Sequence, residues 1–327
     1  MGKINEYLQE NLKFIEIIND SGMKITLCEL GASIYNIYLN DVIMTLTPKE
    51  ISDFSRSDLY YGKNIGPICS RIKNGEIIID NNKYYLECNA VNNTFALHGG
   101  SYGFSTIKYL YEINGNTDNY VVIFKQKINN FAKNLTATAI LKFTYIISKN
   151  ENKIELDTDL ICDHDFIFSL TNHAYFNLGE NHIKDLQLYI DASNHVLLDK
   201  KYSLPLKEEP INTIIDFRKA KNLWRDFHEP YLQDCAAKGY DHNYILDNPN
   251  INRISCSLMS DKHKLDIYTT FPGLQIYTCN YDDNIEFIDS EKGKNRGIAI
   301  EPQLPLSRRK IIAKNTPFSY KTIYLFH

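Results

Sequence analysis

Apolar and polar residues alternate with a period of two along most of this 327-residue chain. In the segment KIELDTDLIC, residues 153–162, Ile154 and Leu156 fall on one side while Asp157 and Asp159 fall on the other. Because successive side chains of a strand point to opposite faces, this alternation predicts a half-buried β-strand. A chain made largely of such strands must bury its apolar faces by packing one sheet against another.

The same alternation recurs in ILKFTYII at residues 140–147 and in FSYKTIYLF at residues 318–326, both rich in β-branched and aromatic residues. Short polar breaks separate the apolar runs, as in DNN at 80–82, NGNTDN at 114–119 and SDKHK at 260–264. Each break predicts a hairpin turn between two neighbouring strands.

Helical periodicity is scarce, with RKAKNLWRDF at 218–227 and SDFSRSDLYYG at 52–62 as the short candidates. The sequence contains no repeat of fixed period and no linker or charge block that would divide the chain. We therefore predict an all-β fold, a large single-domain antiparallel β-sandwich over residues 1–327 with few short helices.

The overall charge gives no reason to expect nucleic acid or an anionic membrane as partner, since the net charge is -4 and the pI is about 6.2. A small neutral ligand fits this charge better. The N-terminal segment carries charges where a signal peptide needs an apolar run. The seven cysteines are widely spread and form no Cys-x-x-Cys pair, so we expect reduced thiols in a cytoplasmic protein.

Five segments carry polar groups that strands do not ordinarily need; these are CSRI with Arg71, ALHGG with His98, TNHAYFNL with His173, YDHNYIL with Asp241 and IAIEPQLP with Glu301. Four of them have ordinary interpretations when taken singly. Arg71 fits a surface cation and His173 a core imidazole with satisfied hydrogen bonds. His98 precedes a Gly-Gly pair typical of a two-residue hairpin turn, and the Asp241 segment fits a simple turn.

Glu301 is harder to explain structurally. An apolar run precedes it and two prolines follow it, so its carboxylate loses hydration unless another group pairs with it or uses it. Loss of hydration raises the pKa of a carboxyl group, which suits a general base that works near neutral pH. We therefore favour a functional role for Glu301.

Other chemistries have weaker support in the sequence. His98, His173, Asp241 and Glu301 lie far apart along the chain, whereas structural zinc sites usually contain close-set ligand pairs. This spacing weakens a metal site without excluding it. The chain has no Gly-x-Ser-x-Gly elbow of a serine hydrolase and no glycine-rich phosphate loop.

Five motifs, LHGG, TNHAYFNL, DHNYIL, PGLQIYT and IEPQ, together resemble the aldose 1-epimerase (galactose mutarotase) family, and the likeness spans residues 66–303. The resemblance implies a galactose mutarotase-like supersandwich with a sugar cleft on one face and with no cofactor or metal. It implies Glu301 as general base and His173 as general acid. It further implies sugar-binding roles for Arg71, His98, Asp241 and Gln275, and Tyr175 is a candidate to pack on the sugar face.

Anomer interconversion requires that a proton leave the anomeric hydroxyl while another reaches the ring oxygen. We expect Glu301 as carboxylate and His173 as imidazolium on opposite sides of one sugar-sized cavity. Two alternatives remain open from the sequence. The chain could be a non-catalytic sugar-binding protein, or a glycoside hydrolase that pairs Glu301 with Asp241.

Three departures from the family pattern leave the substrate open. Ser70 stands where the family commonly has Asn, and Tyr109 where a Trp often follows the LHGG segment. After Gln303, LPLSRRKII replaces the usual acidic stretch. Its basic run, Arg308 to Lys310, fits a solvated surface, although it could contact a phosphorylated sugar. The sequence does not decide between a monomer and a homodimer.

Overall fold

Strands dominate the computed structural model, which describes residues 2–327. In the first half of the chain they are β1 (Lys3–Gln9), β2 (Leu12–Ile18), β3 (Met23–Cys28), β4 (Ser33–Leu39), β5 (Val42–Ile43), β6 (Asn64–Ile65), β7 (Arg71–Lys73), β8 (Glu76–Ile79), β9 (Asn82–Tyr85), β10 (Phe95–Leu97), β11 (Leu110–Gly115), β12 (Asn119–Asn129), β13 (Thr138–Ser148) and β14 (Lys153–Cys162). In the second half they are β15 (Phe166–Ile167), β16 (Thr171–Asn172), β17 (Tyr175–Phe176), β18 (Gln187–Ile190), β19 (Ala192–Leu198), β20 (Pro205–Pro210), β21 (Lys221–Asn222), β22 (Asp241–Leu246), β23 (Cys256–Met259), β24 (Lys264–Thr269), β25 (Gly273–Tyr277), β26 (Ile298–Gln303), β27 (Ile311–Ile312) and β28 (Phe318–Phe326).

Helices are few and short. The α-helices of the described residues are α1 (Ile51–Phe54) and α2 (Pro230–Gln233), and single 3-10 turns cover Phe104–Thr106, Ile183–Asp185 and Leu306–Arg308. No helix within residues 2–327 has the length and apolar character needed to cross a membrane.

Three antiparallel sheets form the body of the fold. One has the strand order β1-β2-β3-β4-β5, the second β11-β12-β13-β14-β28-β24-β23-β18-β21, and the third β17-β26-β25-β22-β19-β20. The three predicted hairpins are confirmed, since β8 pairs with β9, β11 with β12 and β23 with β24. The predicted all-β, antiparallel architecture is therefore confirmed.

The period-two pattern corresponds to the burial seen along the central strands. In β14 every second residue from Ile154 to Cys162 is buried, and the intervening side chains are partly or fully exposed. The rings of Phe176 on β17 and Tyr324 on β28 lie with centroids 5.7 Å apart, which joins the six-stranded sheet to the nine-stranded one. Burial of the apolar faces of the six-stranded and nine-stranded sheets against each other supplies the main favourable free energy of folding.

The predicted helix at 218–227 is wrong. Lys221 and Asn222 form β21, which pairs with β18, and turns fill the rest of the segment. The Lys221 ammonium donates to the Asp226 carboxylate at 2.7 Å, and the Asn222 side chain accepts from the Trp224 amide at 2.8 Å. The pairing of β21 with β18 overrides this weak helical periodicity. In the second helix candidate, at 52–62, only residues 52–54 are helical, and they belong to α1.

The six-stranded sheet has one apolar and one polar face. Leu274, Ile276 and Ile300 are fully buried in the main core. Gln275 and Glu301 adjoin these residues in sequence and must point to the opposite face because side chains alternate along a strand. This polar face forms the floor of the candidate site.

Candidate active site

A cavity of about 210 Å³ lies on the polar face of the six-stranded sheet. All seven site residues expected from the sequence line it; they are Arg71, His98, His173, Tyr175, Asp241, Gln275 and Glu301. These residues come from segments between residues 71 and 301, so folding brings distant parts of the chain to one place.

Strand register positions the polar groups of the floor. Gln275 on β25 lies opposite Glu301 on β26, and Asp241 on the adjacent β22 lies opposite Tyr277. The Gln275 amide nitrogen donates to the Asp241 carboxylate at 2.6 Å. Side chains of directly opposed residues share a face of the sheet, so these groups enter the cavity from one surface.

His173 and Glu301 are neighbours rather than groups on opposite sides of the cavity, so that part of the sequence-based expectation is wrong. The His173 Nε2 atom is 3.6 Å from the Glu301 Oε1 atom, and both side chains are almost completely buried. The distance is longer than a hydrogen bond. The two groups therefore form an adjacent pair, with no room for a sugar ring between these two atoms.

The charge on His173 also differs from the expectation. Burial lowers the pKa of His173 to about 4, so its imidazole is neutral near pH 7 in the sugar-free site. Burial, reinforced by the negative charge of Asp241, raises the pKa of Glu301 well above its ordinary value. Both shifts favour the neutral forms, so a single proton shared by the sugar-free pair is favoured on Glu301 over His173.

Several buried polar atoms of the cavity lining have no hydrogen-bond partner among residues 2–327. They are the Oε2 atom of Glu301, the Oε1 atom of Gln275, the Nε2 atom of Gln303 and the Nδ1 atom of His173. Unpaired polar atoms in a buried site are unfavourable unless a ligand or water satisfies them. A ligand with many hydroxyl groups, each able to donate and to accept, matches this set.

Arg71, the first residue of β7, and His98, which directly follows β10, border the floor. The Arg71 guanidinium lies 3.6 Å from the Asp241 carboxylate. Burial raises the pKa of Asp241, and the Arg71 charge opposes that rise. Burial lowers the pKa of His98 well below its ordinary value, and the nearby His173, Arg71 and Arg309 act in the same direction.

His98 directly follows β10, as the strand-end interpretation predicts, but Gly99 and Gly100 form no two-residue hairpin turn because β10 pairs with the earlier strand β7. His98, Gly99 and Gly100 all have positive φ angles, of 55°, 95° and 79°. A Cβ atom on Gly99 would lie 2.0 Å from the Gly66 carbonyl oxygen. Only glycine fits there, and this tight path places the His98 ring beside Tyr60, with ring centroids 4.6 Å apart.

The family profile described as Aldose 1-epimerase matches residues 13–324. The chain belongs to the aldose 1-epimerase family. Aldose 1-epimerase of Haemophilus influenzae is 26% identical over 281 residues, which cover 82% of this chain and 79% of that protein. Galactose mutarotase of Homo sapiens is 26% identical over 265 residues, which cover 79% and 72% respectively.

Solved structures share the fold. Galactose 1-epimerase from Lactobacillus acidophilus matches with a TM-score of 0.86 at 24% sequence identity, and the match covers 100% of this chain and 98% of that one. Family membership makes this protein an isomerase that acts on sugars. Among the residues that the structure describes, no group of three or more His, Cys, Asp or Glu side chains is arranged to hold a metal ion.

The departures from the family pattern lie in two different environments. Ser70 lines the cavity with a φ angle of 61°, a conformation that Asn adopts more readily than Ser. Tyr109 is 1% exposed and packs against Phe143 in the core, so it does not contact the cavity. The second departure therefore concerns packing rather than sugar recognition.

The basic run after Gln303 also lies outside the cavity lining. Arg308 forms a bidentate pair with Glu208 at 2.8 Å, and Arg309 donates to the backbone carbonyl of Cys69. Lys310 is exposed. No side chain of this run lines the cavity.

Aromatic residues that the sequence analysis did not single out form the walls. Tyr60 lies with its ring centroid 5.8 Å from that of His173, and Tyr61 lies 4.7 Å from Tyr175. Tyr277 also lines the cavity. The adjacent tyrosines of the DLYYG segment are a signal for such a wall, but in a chain with 23 tyrosines they do not stand out.

Proposed function

We propose that this protein is an aldose 1-epimerase that interconverts the α and β anomers of a neutral aldohexose such as galactose or glucose. The observation that carries the proposal is the pairing of His173 and Glu301, 3.6 Å apart, in a cavity with unpaired polar atoms. The relatives named aldose 1-epimerase and galactose mutarotase support it.

Adjacent acid and base groups suit this reaction. The anomeric oxygen and the ring oxygen are bonded to the same carbon, so the proton that leaves one and the proton that reaches the other move within a small region. Neighbouring groups can contact both oxygens at once, whereas groups across the cavity would contact more distant parts of the ring. The base removes the anomeric proton, and the acid protonates the ring oxygen as its bond to the anomeric carbon breaks.

Binding of the sugar moves the shared proton. Sugar hydroxyls that donate to Glu301 stabilise its carboxylate and lower its pKa. The Glu301 carboxylate, 3.6 Å away, then raises the pKa of His173, which takes up the proton. This transfer produces a carboxylate at the anomeric hydroxyl and an imidazolium at the ring oxygen, the pair that ring opening needs.

Ring closure reverses the roles. The open aldehyde rotates about the bond between its first two carbons, and the ring closes from either side. His173 then recovers its proton from the hydroxyl that attacks, and Glu301 returns a proton to the aldehyde oxygen. Arg71, Asp241 and Gln275 hold the other hydroxyls, with His98 at the cavity edge and Tyr175 against the sugar face.

The charges at the cavity mouth favour a neutral sugar. Asp58 and Asp283 line the mouth, and the Tyr61 hydroxyl donates to Asp283 at 2.7 Å. Asp58 is paired with Arg56, but Asp283 has no ion-pair partner among residues 2–327. A phosphate group brought to this mouth would meet the Asp283 carboxylate, which lies near Arg56 without forming an ion pair with it, and like charges at close range repel.

We propose that residues 1–327 form a single catalytic domain, in a cytoplasmic monomer or homodimer, without a cofactor or metal.

Polarimetry on freshly dissolved α-galactose and α-glucose tests the proposed function. We expect the purified chain to accelerate the approach to anomeric equilibrium in proportion to its concentration. Sugar binding in calorimetry without any acceleration would instead indicate a non-catalytic binding protein. Release of reducing sugar from aryl glycosides would indicate a hydrolase.

A further inference from the structure

Lys63 is a buried cation next to the candidate site that the proposed mechanism does not use. Its side chain is 1% exposed, and within residues 2–327 it has no carboxylate partner at ion-pair distance. Burying a charge without a counter-charge is strongly unfavourable unless hydrogen bonds replace its hydration. A hydrocarbon side chain would fill the same space without this penalty, so the ammonium requires an explanation.

Hydrogen bonds to one turn of the chain satisfy the ammonium. The Lys63 Nζ atom donates to the backbone carbonyl of Arg56 at 2.8 Å and to that of Leu59 at 2.9 Å. The same atom lies 5.3 Å from the centroid of the Phe54 ring, within the range of a cation–π interaction. The ammonium therefore closes the turn at residues 56–59 onto the strand segment that follows it.

This turn and the Lys63 backbone both contact the site. Residues 58–61 line the cavity, and they include the aromatic wall of Tyr60 and Tyr61. The His173 amide donates to the Lys63 carbonyl at 2.9 Å, and the Gly62 amide donates to the His173 carbonyl at 3.0 Å. The side chain of Lys63 thus holds the wall, while its backbone fixes the residue proposed as acid.

We propose that Lys63 is a positioning residue. Its ammonium holds the turn at 56–59 against residues 62–63, whose backbone is hydrogen-bonded to His173, and so sets the shape of the sugar cavity. It contacts neither sugar nor reacting atoms. Its removal therefore weakens sugar binding more than it slows the chemical step. This inference rests on the proposed function for its kinetic consequences and on the hydrogen bonds alone for its structural ones.

The charge on Lys63 adds a dependence on pH. Burial lowers the pKa of Lys63 to about 8, against the weaker opposing effects of Cys28 and Asp58. Cys28 itself is neutral in this range, because burial raises its pKa to about 12, and Asp58 is paired with Arg56. As pH rises through about 8 the ammonium becomes an amine, whose hydrogen bonds are weaker than charge-assisted ones. The turn therefore loosens in alkaline solution.

Hydrogen–deuterium exchange of the full chain tests the structural part without any need for activity. In Lys63→Met the turn at 56–59 is no longer held against the segment that contains Gly62. We therefore expect the Gly62 amide, which donates to the His173 carbonyl, to exchange at least roughly tenfold faster than in the wild type. Lys125→Met is the matched control, because Lys125 is exposed on β12 and its ion-pair partner among the described residues is Glu112 of the neighbouring β11. Unchanged exchange at Gly62 in Lys63→Met would overturn the inference whether or not the protein is a mutarotase.

Kinetics test the functional part. In Lys63→Met we expect KM for the sugar to rise by about tenfold while kcat stays within about threefold. The wild-type KM should rise between about pH 7 and pH 9.5, whereas Lys63→Arg, which keeps its charge, should show a smaller rise. A wild-type KM that stays level over this range, or a Lys63→Met variant with wild-type KM, contradicts the proposal even if Lys63→Arg does not fold.

Discussion

Gln275 and Glu301 lie directly opposite each other on adjacent antiparallel strands, and the Gln275 amide connects this pair to Asp241 through a hydrogen bond of 2.6 Å. The sheet thus holds two carboxyl groups on one face, close enough for the charge of Asp241 to raise the pKa of Glu301. Arg71 limits the effect by pairing with Asp241 at 3.6 Å. The protonation of the proposed base is therefore set by its neighbours as well as by burial.

Replacement of Asp241 by Asn should change both affinity and pH dependence. Loss of a charged hydrogen-bond partner for the sugar, worth about 1.5–3 kcal/mol, should raise KM roughly 10- to 100-fold. Without the negative charge the pKa of Glu301 falls, so the alkaline limb of kcat/KM should move to lower pH. Mutarotation rates measured across pH check both effects. Asp261→Asn, at an exposed hairpin turn, is the control, and an unmoved alkaline limb would argue against the coupling.

The acid limb of kcat/KM should lie near pH 4 rather than near 6.5. In its active form the His173–Glu301 pair carries one proton, which moves from Glu301 to His173 when the sugar binds. If His173 is already protonated by a second proton, it cannot accept this proton. Because burial lowers the pKa of His173 to about 4, this second protonation occurs only in acid. Activity that declines with an apparent pKa near 6.5 would contradict a neutral, buried His173.

Circular dichroism at each pH must accompany this profile, because the fold itself weakens in acid. Burial lowers the pKa of His242 to about 3, whereas the unfolded chain takes up this proton near 6.5. The unfolded state therefore binds more protons between these values. The resulting stability is complete above about pH 6.5 and decreases as pH falls toward 3.

Substrate charge should matter at the mouth of the cavity. We expect kcat/KM for glucose 6-phosphate to be at least roughly tenfold below that for glucose, because Asp283 repels the phosphate. Asp283→Asn should narrow this gap, with little change for the neutral sugar. A coupled assay at fixed ionic strength measures both ratios. Equal rates for the neutral and phosphorylated sugars would show that the mouth does not select by charge.

Gly99→Ala should destabilise the fold around His98. The added Cβ would clash with the Gly66 carbonyl, and alanine is strained at a φ angle of 95°. Strain of this kind is worth about 1–3 kcal/mol before the clash is added. Urea denaturation should show a lower midpoint for Gly99→Ala than for Gly115→Ala, whose Cβ lies 3.1 Å from its nearest neighbour at an ordinary φ angle. Equal midpoints would mean that the backbone shifts freely at Gly99.

Local pattern was enough to predict most of the fold. Alternation identified β13, β14 and β28, because burial of one sheet face is imposed on every second residue. The helix prediction at 218–227 failed because Lys221 and Asn222 pair with Leu188 and Gln187 of β18, which are distant in sequence. Such long-range pairing leaves no periodic signal in the segment itself.

The composition of the site was predictable, but its internal geometry was not. Family motifs identified residues that do line one cavity, yet they carry no information on whether His173 and Glu301 are adjacent or opposed. The charge of His173 depends on complete burial, which is a property of the assembled sheets. Lys63 was missed for a similar reason, since a lysine in the sequence is ordinarily a surface residue.

The central claim is that His173 and Glu301 exchange protons with the anomeric and ring oxygens of a sugar. Polarimetry of freshly dissolved α-galactose with the wild type, Glu301→Gln and His173→Asn at matched folded concentration tests it most directly. We predict that each variant lowers kcat by at least about 100-fold while circular dichroism and melting remain close to wild type. A folded Glu301→Gln variant that turns over at the wild-type rate would contradict the account.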